Sequence, residues 1–122
     1  MADVFKNYTG TLATTANVTI FTVPVANVAA TPPVPVSTFV AKTFYIVHNA
    51  TTNPKTLINA YHYDASEAHT ISFATEVSAG EAVNLFLNGI YVFEGGDQLI
   101  VKSNLAGNIN WSVSLLEIKA QQ

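Results

Sequence analysis

The sequence predicts an all-β domain: an antiparallel two-sheet sandwich of about eight or nine strands, with the jelly roll as its more specific form. Short β-branched and aromatic runs recur between turn signals at the spacing of sandwiches and barrels. No stretch carries the apolar period of an amphipathic helix. The segment from Ile109 to Glu117 sets Ile109, Trp111, Val113 and Leu115 against Asn110, Ser112 and Ser114, the period-two pattern of a strand with one buried face. At 122 residues without a cysteine, the chain reads as a single domain, 1–122, able to bury a core without disulfides.

Taken in order, Val4 to Ala13 reads as an edge strand with Phe5, Tyr8 and Leu12 among Thr and Gly. Asn17 to Pro24 follows, with Val18 and Ile20 on one side and Phe21 and Val23 on the other, which predicts burial on both faces. Pro24 ends that strand or confines it to an edge. Ser37 to Asn49 turns Phe44, Ile46 and His48 one way and Tyr45 and Val47 the other; Thr56 to Asp64 is expected to return beside it as a long hairpin. His69 to Val77 alternates Ile71, Phe73, Thr75 and Val77 with Ser72, Ala74 and Glu76. Val83 to Leu87 and Ile90 to Phe93 flank Asn88-Gly89, a pair suited to a type I′ hairpin because both positions need a positive φ. After Glu94-Gly95-Gly96-Asp97, the strands Gln98 to Ser103 and Ile109 to Glu117 are separated by Asn104 to Asn108, a loop of a length common in longer hairpins.

Between the second and third strands lies a Pro-rich arm or loop, 25–36, with Pro32, Pro33 and Pro35. Prolines fix φ and remove donors, so no regular ladder or helix is expected to run through the stretch, and an extended polyproline-like arm is the natural reading. Two readings stand: a loop packed on its own domain, or an arm whose valines reach a neighbouring subunit.

Charged residues make up only 11% of the chain, against about 25% in a typical soluble domain. The five cations are scattered lysines, no arginine is present, and the net charge is −3. Without the bidentate guanidinium grip on phosphates and guanine edges, nucleic acid is not an expected partner. No run approaches the roughly 18 apolar residues of a spanning helix and no apolar leader opens the chain, so a soluble product made in the cytoplasm, with no membrane partner, is expected. A surface solvated by Thr, Asn and Ser can be buried against neighbours without stranding ions.

Chemistry is sparsely marked. His62, Asp64, Glu67 and His69 crowd one turn, but their spacing matches no established zinc motif, so no metal or cofactor is assigned. His48 and His62 read as hydrogen-bonded strand histidines, Ser112 and Ser114 as solvated outward residues, and Asp97 as a turn residue. No nucleophile elbow and no converging carboxylate pair is visible, so no enzymatic role is expected.

The opening TGTLATT leads into the VTIFTVP strand, and the chain closes on IYVFEGGDQLIVKSNLAGNINWSVSLLEI. Together these resemble small β-sandwich virion proteins of tailed bacteriophages, in which a threonine-rich opening precedes a strand ending in Val-Pro. The shared positions near the end are Gly96, Asp97, Leu99, Val101, Ser114, Leu116, Glu117 and Ile118. The likeness covers both ends and not the middle, His48 to Glu76. The Pro-rich stretch departs from the shorter glycine-threonine loop of that family.

The resemblance implies a non-enzymatic structural role on the virion: a capsid decoration or cement protein on the head surface, or else a neck, tail or fibre component with a host-glycan-binding role. The expected mechanism is assembly by burial, as a homo-oligomer, in the first instance a homotrimer, set on the major capsid protein or another virion protein. Candidate contacts are Val25, Val28, Pro32, Pro33, Val34, Pro35 and Val36 of the arm, with Leu116 and Ile118 on the face of the last strand opposite Trp111. The competing expectation is that Leu116 and Ile118 pack inside their own sandwich.

Overall fold

The computed structural model describes residues 3–27, 29, 31–32, 36–51, 55–64, 66–87 and 89–119. Nine strands form two antiparallel sheets, and no helix occurs among the described residues. The strands are β1 (Asp3–Thr11), β2 (Val18–Thr22), β3 (Ser37–His48), β4 (Thr56–Tyr63), β5 (Ala68–Val77), β6 (Ala82–Asn84), β7 (Tyr91–Glu94), β8 (Gln98–Ser103) and β9 (Ile109–Lys119). One sheet runs β1-β9-β3-β6, with β7 also beside β3; the other runs β2-β8-β4-β5.

The pairing is nested. β1 lies with β9, β2 with β8, β3 with β6 and β7, and β4 with β5. The chain behaves as one long hairpin, its tip between β4 and β5, rolled into two layers. That is the jelly-roll order, with β6 and β7 serving as one interrupted strand.

This order corrects three expected hairpins. β4 does not return beside β3 but lies in the other sheet, between β5 and β8. β6 and β7 both pair with β3 and not with each other, running in the same direction along it, so the expected hairpin is a break in one strand; Asn88 lies outside the described residues, and the break includes Leu87 at φ 51° and Gly89 N–H donating to the Phe86 carbonyl at 2.8 Å. β8 and β9 belong to different sheets, so Asn104 to Asn108 crosses between layers. A local turn signal reports that a strand is interrupted; it does not report in which layer, or in which direction, the next strand runs. Of the consecutive strands only β4 and β5 are bonded neighbours.

The inward residues follow the predicted phases, with local shifts. In β3 the register slips between Ala41 and Thr43, so Ser37, Phe39 and Ala41 face inward before it and Phe44, Ile46 and His48 after it. In β2 a slip between Thr19 and Phe21 turns both Ile20 and Phe21 into the core. This edge strand therefore has one covered face, not the two expected, and its consecutive apolar residues come from the bulge. In β5 the register slips twice against β4, Ala74 sits at φ 49° and gives its N–H to Asn59 Oδ1 at 2.6 Å, and Phe73 is left 76% exposed. The expected alternation of β5 fails at that point.

The core is aromatic at its centre. Phe21 meets Phe39 and Phe93 edge-on, with centroids 5.1 and 5.0 Å away, and Tyr8 packs on Phe21. Trp111 shares the inward phase of β9 but stands at the rim, half-buried against the core. Its indole lies on Gly10 of β1, where a Cβ would come within 2.6 Å of the ring.

Candidate functional site

The register places four apolar residues side by side across the outer face of the larger sheet. Phe5 of β1 is opposite Leu116 of β9, Leu116 is opposite Val40 of β3, and Val40 is opposite Val92 of β7. Phe5 is 84% exposed, Val92 is exposed, and Leu116 and Val40 are half-buried by each other's company. Ile90, 63% exposed, joins Phe5, Val40 and Leu116 around a groove of about 370 Å³. Polar rows border the stripe. On one side Ser114 Oγ donates to Asn7 Oδ1 at 2.7 Å; on the other Asp3, Thr38 and Glu94 stand in line, with the apolar Ile118 between Asp3 and Thr38. An apolar band with a rim of hydroxyl, amide and carboxylate groups has the build of an interaction surface.

Leu116 therefore lies on the outer face, opposite Trp111, as the alternation of β9 predicted. Ile118 shares that face one row along, half-buried beside Thr38. Of the arm, Val25, Pro32 and Val36 are exposed; Val28, Pro33, Val34 and Pro35 lie outside the described residues. Val25 and Pro24 sit against Gly95 in the β7–β8 turn. Sequence reasoning missed Phe5, Val40, Ile90 and Val92, because what unites them is register between strands far apart in the chain. It also missed a second apolar spot, where Phe73 and Leu87, 76% and 78% exposed, flank a smaller groove with Ile71 and Val83.

Directly beneath the stripe is a buried charge. Glu117, 1% exposed, points inward from β9, where Ser37 Oγ donates to Oε2 at 3.0 Å and Lys6 Nζ lies 2.7 Å from Oε1. Burial pushes this carboxyl up, but the Lys6 and Ser37 hydrogen bonds outweigh it and hold the group below the ordinary glutamate range. The Lys6 ammonium is correspondingly raised, mainly by its hydrogen bond to Glu117. The three residues tie β1, β9 and β3 together under the stripe.

No family model and no curated protein matches the chain. Among solved structures, a chain of the T13 IBDV viral particle aligns with 94% of this chain at TM-score 0.55 and 8% identity. The present chain spans only 30% of that longer one. The Drosophila NLP core, a structure described for pentamer formation and histone binding, aligns over 94% of this chain and 98% of its own length, at TM-score 0.50 and 20% identity. At these identities the likeness is one of fold.

The histidine and carboxylate cluster is brought together only in part. Asp64, Glu67 and His69 converge at the tip of the β4–β5 hairpin, with His69 Nε2 3.0 Å from Asp64 and 3.4 Å from Glu67, all three exposed. The Asp64 carboxyl is held below its usual range, chiefly by the hydrogen bond with His69. These groups already satisfy one another as a clasp on the hairpin tip. His62 leaves the cluster: its ring packs on Phe93, centroids 4.3 Å apart, and Nε2 lies 2.8 Å from Asp97 Oδ2. That same oxygen accepts the Glu94 N–H at 2.9 Å, so Asp97 is the turn residue expected and also a bridge to β4. Replacing Asp97 with alanine strands both partners and is expected to cost about 1–3 kcal/mol, measured by urea unfolding.

Proposed function

We propose that the protein is a non-enzymatic structural component of a virion, a decoration or cement protein that sits as a homo-oligomer on the head of a tailed bacteriophage and stabilises the shell. The observation that carries this reading is the apolar stripe of Phe5, Leu116, Val40 and Val92 across the outer sheet face. The stripe presses on the shell protein, and each Leu or Phe so covered contributes about 1.5–3 kcal/mol. Weak contacts of this size hold firmly when many copies engage one particle. The low charge of the chain supports the reading, since few ions are stranded when the face is covered. The viral-particle neighbour adds a shared fold, and the sequence resemblance adds the phage setting.

The test is copy number in purified particles. Hundreds of copies per particle are expected of a head protein. A handful or a dozen would move the protein to the neck or tail, and absence from particles would overturn the virion role.

A further inference from the structure

The edges of the two sheets are unequal. In the smaller sheet, β2 is five residues long, bulged between Thr19 and Phe21 and followed closely by Pro24; β5 slips register twice and carries the left-handed Ala74. In the larger sheet, the edge beyond β3 is made of β6 and β7, three and four residues long. Short, bulged or proline-flanked edges resist further pairing. β1 is neither short, bulged nor proline-flanked, and its one inward charge, Lys6, is already paired with Glu117. It runs nine residues in unbroken register with β9, contains no proline, and among the described residues bonds only to β9.

The phase of its free side is fixed. Leu12 N–H donates to the Ile109 carbonyl at 2.8 Å, at the end of the register that pairs Thr11 with Asn110. Antiparallel bonding alternates, so Val4, Lys6, Tyr8 and Gly10 bond to β9. Asp3, Phe5, Asn7, Thr9 and Thr11 therefore direct N–H and C=O groups outward from the sheet edge.

We infer that β1 is where two copies of this chain join, their β1 strands antiparallel about a two-fold axis at Asn7. In that register the full strand overlaps and about ten main-chain hydrogen bonds form. Phe5 falls opposite Thr9 of the second copy, Asp3 opposite Thr11, and Lys6 opposite Tyr8, so no like charges face each other. The contact is isologous and closes as a pair, which gives a dimer or a multiple of two instead of the trimer expected from sequence. The inference rests on the homo-oligomeric part of the proposed function and not on where the oligomer sits.

Three variants of the full chain test it, read by light scattering and non-reducing electrophoresis. Wild type is expected at an even multiple of the chain mass. Thr9→Pro removes one edge-facing N–H and no bond to β9, so the mass should fall to half with the β-sheet circular dichroism retained. The chain has no cysteine, so Asn7→Cys introduces the sole thiol. Directly opposed bonded residues have Cα atoms about 5.5 Å apart, within disulfide reach, and Asn7→Cys should cross-link as a dimer under mild oxidation. Thr11→Cys, whose two copies would lie roughly 27 Å apart at strand rise, should not.

A monomeric or trimeric wild type overturns the pairing. So does an Asn7→Cys variant that stays uncross-linked, or a Thr11→Cys variant that links as readily. The cysteine pair decides the matter even where Thr9→Pro fails to fold. A dimer found on no particle would leave the strand pairing intact and sink the decoration role; a trimer abundant on particles would do the reverse.

Discussion

Leu116→Asp is expected to release the protein from particles while leaving its fold in place. Leu116 lies on the outer face of β9, flanked by Phe5 and Val40, with the core residues Leu115 and Glu117 pointing the other way. Losing its burial against the shell removes about 1.5–3 kcal/mol per contact, or roughly ten- to a hundred-fold in the affinity of each copy. The isolated domain loses only a half-covered surface residue, so its unfolding midpoint should move by no more than about 1 kcal/mol equivalent. Phe5→Ser tests the same surface at a side chain that is 84% exposed and has less to lose internally. Re-binding of purified variants to particles stripped of the protein reads the first effect, and thermal unfolding reads the second. Unfolding of Leu116→Asp together with normal binding by Phe5→Ser would return the stripe to the interior economy of the sandwich.

Acid should unfold the domain through Glu117. Its native pKa lies below the ordinary value, about 4.3 for a glutamate in an unfolded chain. A carboxylate lowered in this way stabilises the fold fully above the unfolded value, and that contribution disappears as pH falls through the native value. Stability measured by urea unfolding should thus be flat with respect to this group near neutrality and decline below about pH 4.3. Glu117→Gln should flatten that decline. Lys6→Met should act at neutral pH, because it leaves a carboxylate that is 1% exposed with Ser37 as its remaining partner. Stripping a fully buried pair costs about 3–5 kcal/mol; since the Lys6 ammonium is partly solvated, about 2–3 kcal/mol is expected here. A Lys6→Met variant as stable as wild type would show that Glu117 takes up a proton at little cost.

The strands were legible in the sequence because their information is local. Alternation around Val113 assigned both faces of β9, and the run from Phe44 to His48 assigned the second half of β3. The sandwich class followed from the count of such segments and the absence of a helical period. Partners were not legible, because the loop before Ile109 carries the same turn chemistry whether the chain returns beside itself or crosses to the other layer, and Asn88-Gly89 reads as a hairpin although β6 and β7 follow one another along β3. Bulges escaped for a related reason: nothing in Thr19-Ile20-Phe21 or Ser72-Phe73-Ala74 states that a residue will be left unpaired. The candidate surface divided along the same line. Leu116 and Ile118 could be placed outward from β9 alone, whereas Phe5, Val40 and Val92 join them only once four strands are in register. Asp64, Glu67 and His69 share one hairpin and converged, while His62 was drawn away by Asp97, 35 residues on.

The nested order of the strands bears on how the chain is made. β1 is hydrogen-bonded into its sheet only through β9, and β2 into its own only through β8, so neither layer can close until the C-terminal strands have left the ribosome. Before then only the β4–β5 hairpin and the pairing of β3 with β6 and β7 can form, and the aromatic residues of β1 and β2 have no strand to bond to. Folding must therefore be late and slow, dominated by contacts between the two ends of the chain, and translation that stops short of residue 109 leaves an aggregation-prone fragment instead of a smaller domain.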